Sequence, residues 1–263
     1  MVSIYDIIIV GATPEGLELA KEFMTSGKKV ILISSKFYKN VDLAAVTKLE
    51  AEVVFISYTH GLFGANVLQG NLKGTIFGTN IIFATGTKPI KSSLKNLNIC
   101  YKAIDIVGKH KSEPAVVYGN SEEAAFYALD LAKRFCYVYL CTKEFDLKCS
   151  KKLQKKINET ANIVHLPGCC VLSCKNNKEG KLIEVTLDTY ATIKTTVMVH
   201  AQGRLPDVPA FLKRYIELDA DGFAKVKEFN ESTLVPGVYA IGKLCRNFTK
   251  RDLKKLSERL QAL

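Results

Sequence analysis

The first 34 residues constrain the fold of this 263-residue chain more than any other segment. They contain a continuous β-branched run at 7–10, which is typical of a strand buried on both faces. Gly11 then suits a turn, Pro14 suits the first turn of a helix, and a second apolar run starts at Val30. Strand, glycine turn, helix and strand predict a dinucleotide-binding βαβ unit, in which the helix N-terminus faces a pyrophosphate.

The glycine turn departs from the G-x-G-x-x-G pattern of such units at its middle position. Its sequence is G-A-T-P-E-G, so Gly11 and Gly16 are kept and Thr13 replaces the middle glycine. Thr13 adds bulk where the backbone would approach a phosphate, although its hydroxyl is able to donate a hydrogen bond. Pro14 removes one N–H donor. We predict that Gly11, Thr13, Pro14 and Gly16 contact a nucleotide in this domain, with a weakened fit.

Two later segments supply further predicted contacts, the first close to a nucleotide and the second near the opening turn. A strand-like run at 80–83 leads into Ala-Thr-Gly, and a C-terminal run ends in Ala-Ile-Gly-Lys. A strand that ends in small residues suits a chain that passes close to a nucleotide. Thr85, Gly86, Gly242 and Lys243 are therefore predicted as further cofactor contacts. Lys243 is expected to pair with Glu15 or with a phosphate.

The opening pattern returns in the middle of the chain. Gly119 precedes the apolar run at Val138 by 19 positions, as Gly11 precedes Val30. A repeat matched in pattern and spacing predicts two βαβ domains. The predicted fold class is α/β, with two Rossmann-like dinucleotide-binding domains, the second inserted into the first. We place the first domain at 1–108 and 207–263 and the second at 109–206.

The pattern between the two copies is less regular. A short helix is predicted at 41–49. Strands at 65–68 and 74–77, with a glycine-asparagine turn between them, predict a hairpin.

The second glycine turn is altered further, with Ser121 in its middle position. Asn120 and Glu123 are spaced to form a capping box, in which side chains satisfy the N–H groups that a phosphate would take. Glu122 and Glu123 also place negative charge at the helix start, which stabilises the helix dipole and repels an anionic ligand. NADPH binding is therefore expected to be weak or absent here.

Charge and hydropathy limit the functional classes. The chain has 37 basic and 26 acidic residues, a net charge of +11 that attracts anionic partners. No segment combines basic and aromatic residues in a nucleic-acid motif, so nucleic-acid binding is not predicted. No stretch approaches about 18 uninterrupted apolar residues, and the N-terminus lacks a basic-then-apolar signal. We expect a cytoplasmic protein without membrane association.

The eight cysteines include no C-x-x-C pair and no paired units of the kind that indicate a zinc site, so no metal site is predicted. Cys169, Cys170 and Cys174 cluster near a turn, where free thiols in a reducing compartment are favoured over a redox or metal role. The histidines are scattered, and no nucleophile–base arrangement is indicated. No catalytic residue is therefore assigned.

Several segments together resemble a known family. They are G-A-T-P-E-G, N-I-I-F-A-T-G-T-K-P, I-C-Y-K-A-I-D before V-V-Y-G-N, A-Q-G-R-L-P-D and S-T-L-V-P-G-V-Y-A-I-G-K, and they cover nearly the whole chain. In these segments, and in their order, the chain is similar to the thioredoxin reductase branch of the flavoproteins with two dinucleotide-binding domains. The resemblance implies FAD in the first domain, NADPH in the inserted domain, electron transfer to a C-x-x-C pair, and a homodimer.

The chain departs from this family at the residues that carry its chemistry. Lys102 and Asp105 occupy the positions of the two redox cysteines, and neither side chain exchanges disulfides. Lys243 follows Gly242 where the family has Gly-Asp, and the stretch at 36–51 is shorter than the family's flavin segment. These changes argue against disulfide reduction and against an intact flavin. An adenine nucleotide is the more compatible ligand of the first turn.

Two functions stay open from the sequence. The favoured one is a degenerate relative without disulfide reductase activity, which binds a nucleotide or a protein partner such as a related reductase. The loss of both cysteines supports it. The alternative is an FAD-dependent oxidoreductase that uses NAD(P)H on a non-disulfide acceptor, which the retained glycines support.

Overall fold

The computed structural model describes residues 3–37, 46–94, 99–106, 108 and 112–263. The chain forms two compact units, the first made of Met1–Lys88 and Leu205–Leu263 and the second of Pro89–Arg204. The second unit is thus inserted between two parts of the first. The boundaries predicted from the sequence, at 108 and 206, lie further along the chain than these divisions.

The regular elements follow in chain order. The strands are β1 (Ile4–Val10), β2 (Val30–Ser34), β3 (Lys48–Glu50), β4 (Glu52–Thr59), β5 (Leu62–Gln69), β6 (Leu72–Phe83), β7 (Thr87–Pro89), β8 (Ala115–Tyr118), β9 (Val138–Thr142), β10 (Ile163–Pro167), β11 (Val171–Asn176), β12 (Leu182–Leu187), β13 (Thr192–Lys194), β14 (Met198–His200), β15 (Arg204–Pro206) and β16 (Val238–Ala240). Within the described residues, the α-helices are α1 (Pro14–Thr25), α2 (Glu122–Ala132), α3 (Lys151–Glu159) and α4 (Lys250–Gln261). None of these four is both long and apolar enough to span a bilayer.

The first unit is built on a seven-stranded sheet in the order β3-β2-β1-β6-β5-β4, with β16 also paired to β6. Strand β1 lies between β2 and β6 and is parallel to both. Ile7, Ile8 and Ile9 are fully buried, and they alternate between two apolar clusters on opposite faces of the sheet. This placement explains why the run at 7–10 is continuously apolar.

Helices α1 and α4 contribute to the same apolar cluster of the first unit. Phe23 of α1 and Leu256 of α4 are fully buried there with Ile9 of the sheet. Both helices carry apolar residues at helical spacing on this side and charged residues on the other, as amphipathic surface helices do. The C-terminal helix therefore completes the core that the first βαβ unit begins.

The second unit repeats the parallel arrangement. Its main sheet has the order β10-β9-β8-β14, and the antiparallel strands β11, β12 and β13 form a separate sheet. Strand β8 pairs in parallel with β9 so that Ala115 faces Val138, as Ile7 faces Val30 in the first unit. The predicted α/β fold with two Rossmann-like domains is confirmed.

Two local predictions differ in outcome. The predicted hairpin is confirmed, because β5 and β6 pair antiparallel across the turn at 70–71. Strand β6 is longer than predicted and runs without a break from the hairpin to Phe83. The helix predicted at 41–49 lies partly outside the described residues, and at its end it is wrong, since Lys48–Glu50 pairs in register with β2.

Replacement of Phe23 by alanine is expected to lower the free energy of unfolding by about 3–5 kcal/mol, because it leaves a cavity under α1. Phe126 on α2 is the control, because it is 58% exposed and Phe126→Ala should change stability by less than about 0.5 kcal/mol. Urea denaturation followed by circular dichroism measures both. Similar losses in the two variants would contradict the packing described here.

Candidate functional site

The two glycines kept in the first turn are fixed by packing against the end of β6. Gly11 has φ +102°, and a Cβ at this position would lie 2.3 Å from the Ala84 carbonyl oxygen. A Cβ added to Gly16 would lie 2.8 Å from the Cβ of Ala84. The Ala84 N–H donates to the Val10 carbonyl at 2.7 Å, which holds the two segments together. The fold itself therefore requires glycine at both positions.

Thr13 stands at the N-cap of α1 and turns its side chain onto the backbone. Its Oγ1 accepts a hydrogen bond from the Gly16 N–H at 3.4 Å. A Cβ on Gly86, whose φ is +69°, would lie 2.8 Å from the Cγ2 of Thr13. The Thr13 side chain thus lies between the helix start and the Ala-Thr-Gly segment. Gly86 therefore lies at the glycine turn, next to the side chain of Thr13.

Thr85 and Gly86 are held by a segment that returns late in the chain. The Thr85 hydroxyl donates to the Asp207 carbonyl at 2.6 Å, and the Asp207 N–H donates to the Gly86 carbonyl at 2.9 Å. The Asp207 carboxylate forms an exposed ion pair with Lys88 at 3.3 Å. The Thr85 hydroxyl therefore serves the fold in this structure.

Gly242 also lies at the first turn, beside Glu15. A Cβ on Gly242, which has φ +65°, would lie 3.0 Å from the Glu15 carboxylate oxygen Oε2. Lys243 follows in a short 3₁₀ turn and is exposed. No ion pair joins Glu15 to Lys243 in the part of the chain that the structure describes, so of the two predicted partners of Lys243 the phosphate stays a prediction. The carboxylate lies against the Gly242 backbone instead.

The start of α1 has few groups left for a phosphate. Pro14 has no N–H, and the Gly16 N–H is taken by Thr13. Of the first three helical positions, only Glu15 has an N–H that makes no hydrogen bond to another described residue, and its own side chain is acidic. Dinucleotide sites hold a pyrophosphate with several free N–H groups at this point. The groups present here do not match that arrangement.

The second glycine turn is closed in a related way. A Cβ on Gly119 would lie 2.0 Å from the Ala201 carbonyl oxygen. Ser121 is the N-cap of α2 and accepts a hydrogen bond from the Ala124 N–H at 3.4 Å. The capping box predicted for Asn120 and Glu123 is therefore wrong, because the helix begins one residue later than that motif needs.

The loop after β9 contacts Asn120 in place of the predicted cap. The Asn120 carbonyl accepts a hydrogen bond from the Lys148 N–H at 2.7 Å, and its side-chain amide donates to the Asp146 carbonyl at 3.4 Å. Leu147, between them, is buried in the core of the second unit. This loop thus lies on the turn before α2, with a buried side chain holding it in place.

Glu123 is held by two partners from within its own unit. Its carboxylate Oε1 accepts hydrogen bonds from Arg204 at 3.2 Å and from the Tyr127 hydroxyl at 2.7 Å. Arg204 and Glu123 are only 21% and 28% exposed, so solvent screens this pair less than a surface pair. Burial, followed by the hydrogen bond to Glu123, raises the pKa of Tyr127. The predicted negative charge at the helix start is thus balanced by an arginine.

The segment in which the sequence predicts the replaced redox positions, Lys102 and Asp105, forms a short 3₁₀ turn at Ala103–Asp105. Ala103 and Ile106 are buried, and Asp105 is exposed. Arg134, next to the end of α2, donates to the Ala103 carbonyl at 3.1 Å and to the Ile106 carbonyl at 2.5 Å. The segment is therefore anchored to the core of the second unit.

All eight cysteines are free thiols, and the surroundings of several of them disfavour the thiolate. Burial, followed by the charge of Asp105, raises the pKa of Cys100. Burial raises the pKa of Cys141 and Cys169, and it raises that of Cys174 to about 11. The Cys174 thiol contacts the sulfur of Met198 at 3.4 Å. No group of three metal-binding side chains converges within the described residues.

Three contacts of the structure were not predicted from the sequence. Thr249 and Asp252 form a capping box at the start of α4, and their T-x-x-D spacing is a signal that sequence analysis is able to use. The Glu123–Arg204 pair joins residues 81 positions apart. The hydrogen bond from Arg134 to the Ala103 carbonyl joins residues 31 positions apart. No local pattern in the sequence indicates contacts of this range.

Glu123→Ala is expected to lower the free energy of unfolding by about 1–2 kcal/mol, because it leaves Arg204 and Tyr127 without this acceptor. Glu122→Ala is the matched control, since Glu122 is exposed at the same helix start and removes the same charge. Thermal unfolding at neutral pH compares the two. A Glu122→Ala variant as unstable as Glu123→Ala would show that only the helix dipole matters.

Comparison with known proteins gives concordant results. The family model described as pyridine nucleotide-disulphide oxidoreductase matches residues 39–258. The chain is 24% identical over 176 residues to NADPH-dependent thioredoxin reductase 3 of Arabidopsis thaliana, covering 62% of this chain and 33% of that protein. It is 26% identical over 176 residues to thioredoxin reductase of Yarrowia lipolytica, covering 62% and 54%. The chain thus spans between a third and little more than half of these relatives' length.

Solved structures show the same fold. Thioredoxin reductase of T. acidophilum superimposes with a TM-score of 0.82 at 18% identity, covering 98% of each chain. That of Lactococcus lactis gives a TM-score of 0.79 at 16% identity, covering 98% of this chain and 97% of that one. At such low identities the structural similarity establishes only the fold. Because the family model covers most of the sequence, this chain belongs to the pyridine nucleotide-disulphide oxidoreductase family and resembles its thioredoxin reductases.

Proposed function

We propose that this chain is a member of the family without disulfide reductase activity, which acts by binding a nucleotide or a protein partner. The observation that supports the proposal is the 3₁₀ turn at Ala103–Asp105, in the segment where the resemblance assigns Lys102 and Asp105 to the positions of the two redox cysteines. Arg134 ties this turn to the core through two backbone carbonyls. The segment has acquired structural contacts in place of a dithiol.

Thiol–disulfide exchange needs a thiolate that attacks one sulfur of a disulfide, and a second thiol that resolves the mixed disulfide. Cys100 is the cysteine nearest in sequence to the replaced pair, and it is the first alternative to consider. Its backbone is held by Met198 and His200, and its pKa is raised by burial and then by Asp105. Reactive cysteines have lowered pKa values in electropositive surroundings. Cys100 therefore lacks the features of a replacement nucleophile.

Members of this family normally bind FAD and NADPH. In this chain Ser121 holds the Ala124 N–H at the second turn, and the exposed Glu122 adds negative charge beside it. These features disfavour binding of the NADPH pyrophosphate at the start of α2. At the first turn Thr13 takes the Gly16 N–H and Glu15 adds negative charge, and both disfavour binding of the FAD pyrophosphate. We propose that neither dinucleotide is held as the family holds it.

A smaller adenine nucleotide meets fewer obstacles at the first turn. It would be held by the Glu15 N–H, by the Thr13 hydroxyl and by the positive end of the α1 dipole. It would not need the segment at 36–51 that is shortened relative to the family. The partner class that we propose is a second copy of this chain or a related reductase, because thioredoxin reductases are typically homodimers.

The purified protein with NADPH is expected not to reduce thioredoxin or a small aromatic disulfide above the uncatalysed rate. The physical reason is that the chain has no pair of thiols at disulfide spacing in the aligned segment. A thioredoxin reductase run in parallel validates the assay. Robust turnover that Cys100→Ser abolishes and Cys245→Ser preserves would overturn the proposal.

The visible spectrum and nucleotide titrations test the ligand. We expect a colourless protein as purified and weak binding of ADP, which Glu15→Gln should strengthen about tenfold at low salt by removing a negative charge beside the phosphate. Ser121→Gly in the second unit is the matched control and should leave ADP affinity unchanged. Calorimetry measures all three. Stoichiometric yellow flavin would instead restore an oxidoreductase function.

A further inference from the structure

A cavity of about 370 Å³ lies in the first unit, between the start of α4 and the segment before β16. One wall is formed by residues 226–230, and the other by residues 245–248 together with Asp252 and Lys255. It shares no lining residue with the glycine turn or with the Ala-Thr-Gly segment. Its size falls within the range of small-molecule pockets. The cavity plays no part in the function proposed above.

The backbone around this cavity is held in an unfavourable conformation at three non-glycine residues. Phe229, Asn230 and Asn247 have φ of +55°, +59° and +58°, and all three line the cavity. Asparagine tolerates this left-handed region, whereas a phenylalanine there is a marked outlier. Such residues persist only where the surrounding structure over-determines them, and they concentrate at ligand sites. Two separate segments therefore carry unusual backbone on the two walls of one cavity.

The charges on the walls divide into satisfied and available groups. Arg246 is engaged by Asp219 at 2.8 Å and by Asp221 at 2.5 Å, and Asp252 accepts hydrogen bonds within the α4 capping box. Lys227 and Lys255 are both exposed at the cavity.

Glu228 and Asp252 are the acidic residues of the wall, and the charge of Asp252 is near Lys255. Helix α4 with its cap adds to the positive potential, since residues 249–261 contain five basic and two acidic residues. The field at the cavity therefore favours an anion.

Two aromatic rings supply the apolar part of the site. Phe229 is 40% exposed, which leaves part of its ring open to a ligand, and Phe248 is partly buried on the opposite wall. Arg259 lies over the Phe229 ring at 5.8 Å and restricts its position. Small-molecule sites combine such apolar walls with a few placed polar groups.

We propose that this cavity binds a small organic anion with an aromatic or other apolar body, with the anionic group at Lys255 and Lys227 and the ring against Phe229. The inference goes beyond the proposed function and does not depend on a nucleotide at the first turn. Anilinonaphthalene sulfonate, a fluorescent aromatic sulfonate, is the probe for this ligand class.

The test titrates this probe into the full chain at low salt and records fluorescence. We expect one saturable site, and Lys255→Glu should weaken it about tenfold because an attractive charge is reversed. Lys254→Glu is the matched control, because it makes the same charge change on the adjacent residue of α4. Lys254 pairs with Glu258 at 3.8 Å and does not line the cavity. Lys254→Glu should change the affinity less than about twofold.

Phe229→Gly provides a second measurement that a general electrostatic effect would not move. Glycine adopts φ of +55° without strain, so the variant should keep the circular dichroism spectrum of the folded protein, while probe affinity falls. Unchanged probe affinity in Phe229→Gly would overturn the proposal. Equal effects of Lys254→Glu and Lys255→Glu, or the absence of saturation, would overturn it as well.

Discussion

The contact of the glycine turn with the end of β6 is the constraint on which the first unit depends. Gly11 lies so close to Ala84 that no side chain fits between them, and the parallel pairing of β1 with β6 fixes this approach. The start of α1, the Thr13 side chain and Gly86 all take their places from it. A glycine pattern that is read as a nucleotide signature is here required by backbone packing alone. The presence of Gly11 and Gly16 therefore indicates the fold and is not by itself evidence for nucleotide binding.

Both helix starts illustrate how a protein satisfies with its own side chains the groups that a ligand would otherwise satisfy. Thr13 and Ser121 accept hydrogen bonds from the first turns of α1 and α2. In the second unit Glu123 and Arg204 add an ion pair that is shielded from solvent. Caps of this kind stabilise a helix by about 1 kcal/mol, and they compete with a phosphate for the same N–H groups. Stability without ligand and affinity for ligand are thus opposed at these positions.

The sequence predicts the parts of this structure that local patterns encode. The two βαβ units follow from apolar runs and glycine spacing, and the position of Gly242 near the first turn follows from a late strand that leads into Ala-Ile-Gly-Lys. The cap of α2 was placed one residue early, because Asn120 and Ser121 are both good caps and only the loop at 146–148 decides between them. The left-handed conformation of Phe229 has no sequence signal, since glycine or asparagine is the residue expected there.

The insertion of the second unit has a consequence for the order of synthesis. The ribosome completes β1 to β6 first, but β16 and α4 belong to the same sheet and core and emerge only after Pro89–Arg204. At ordinary elongation rates this delay is on the order of ten seconds. Throughout it, the apolar side of α1 around Phe23 lacks the helix that covers it, and β6 lacks one neighbour. The nascent chain therefore presents an open hydrophobic face and a bare strand edge, the kind of surface that chaperones bind.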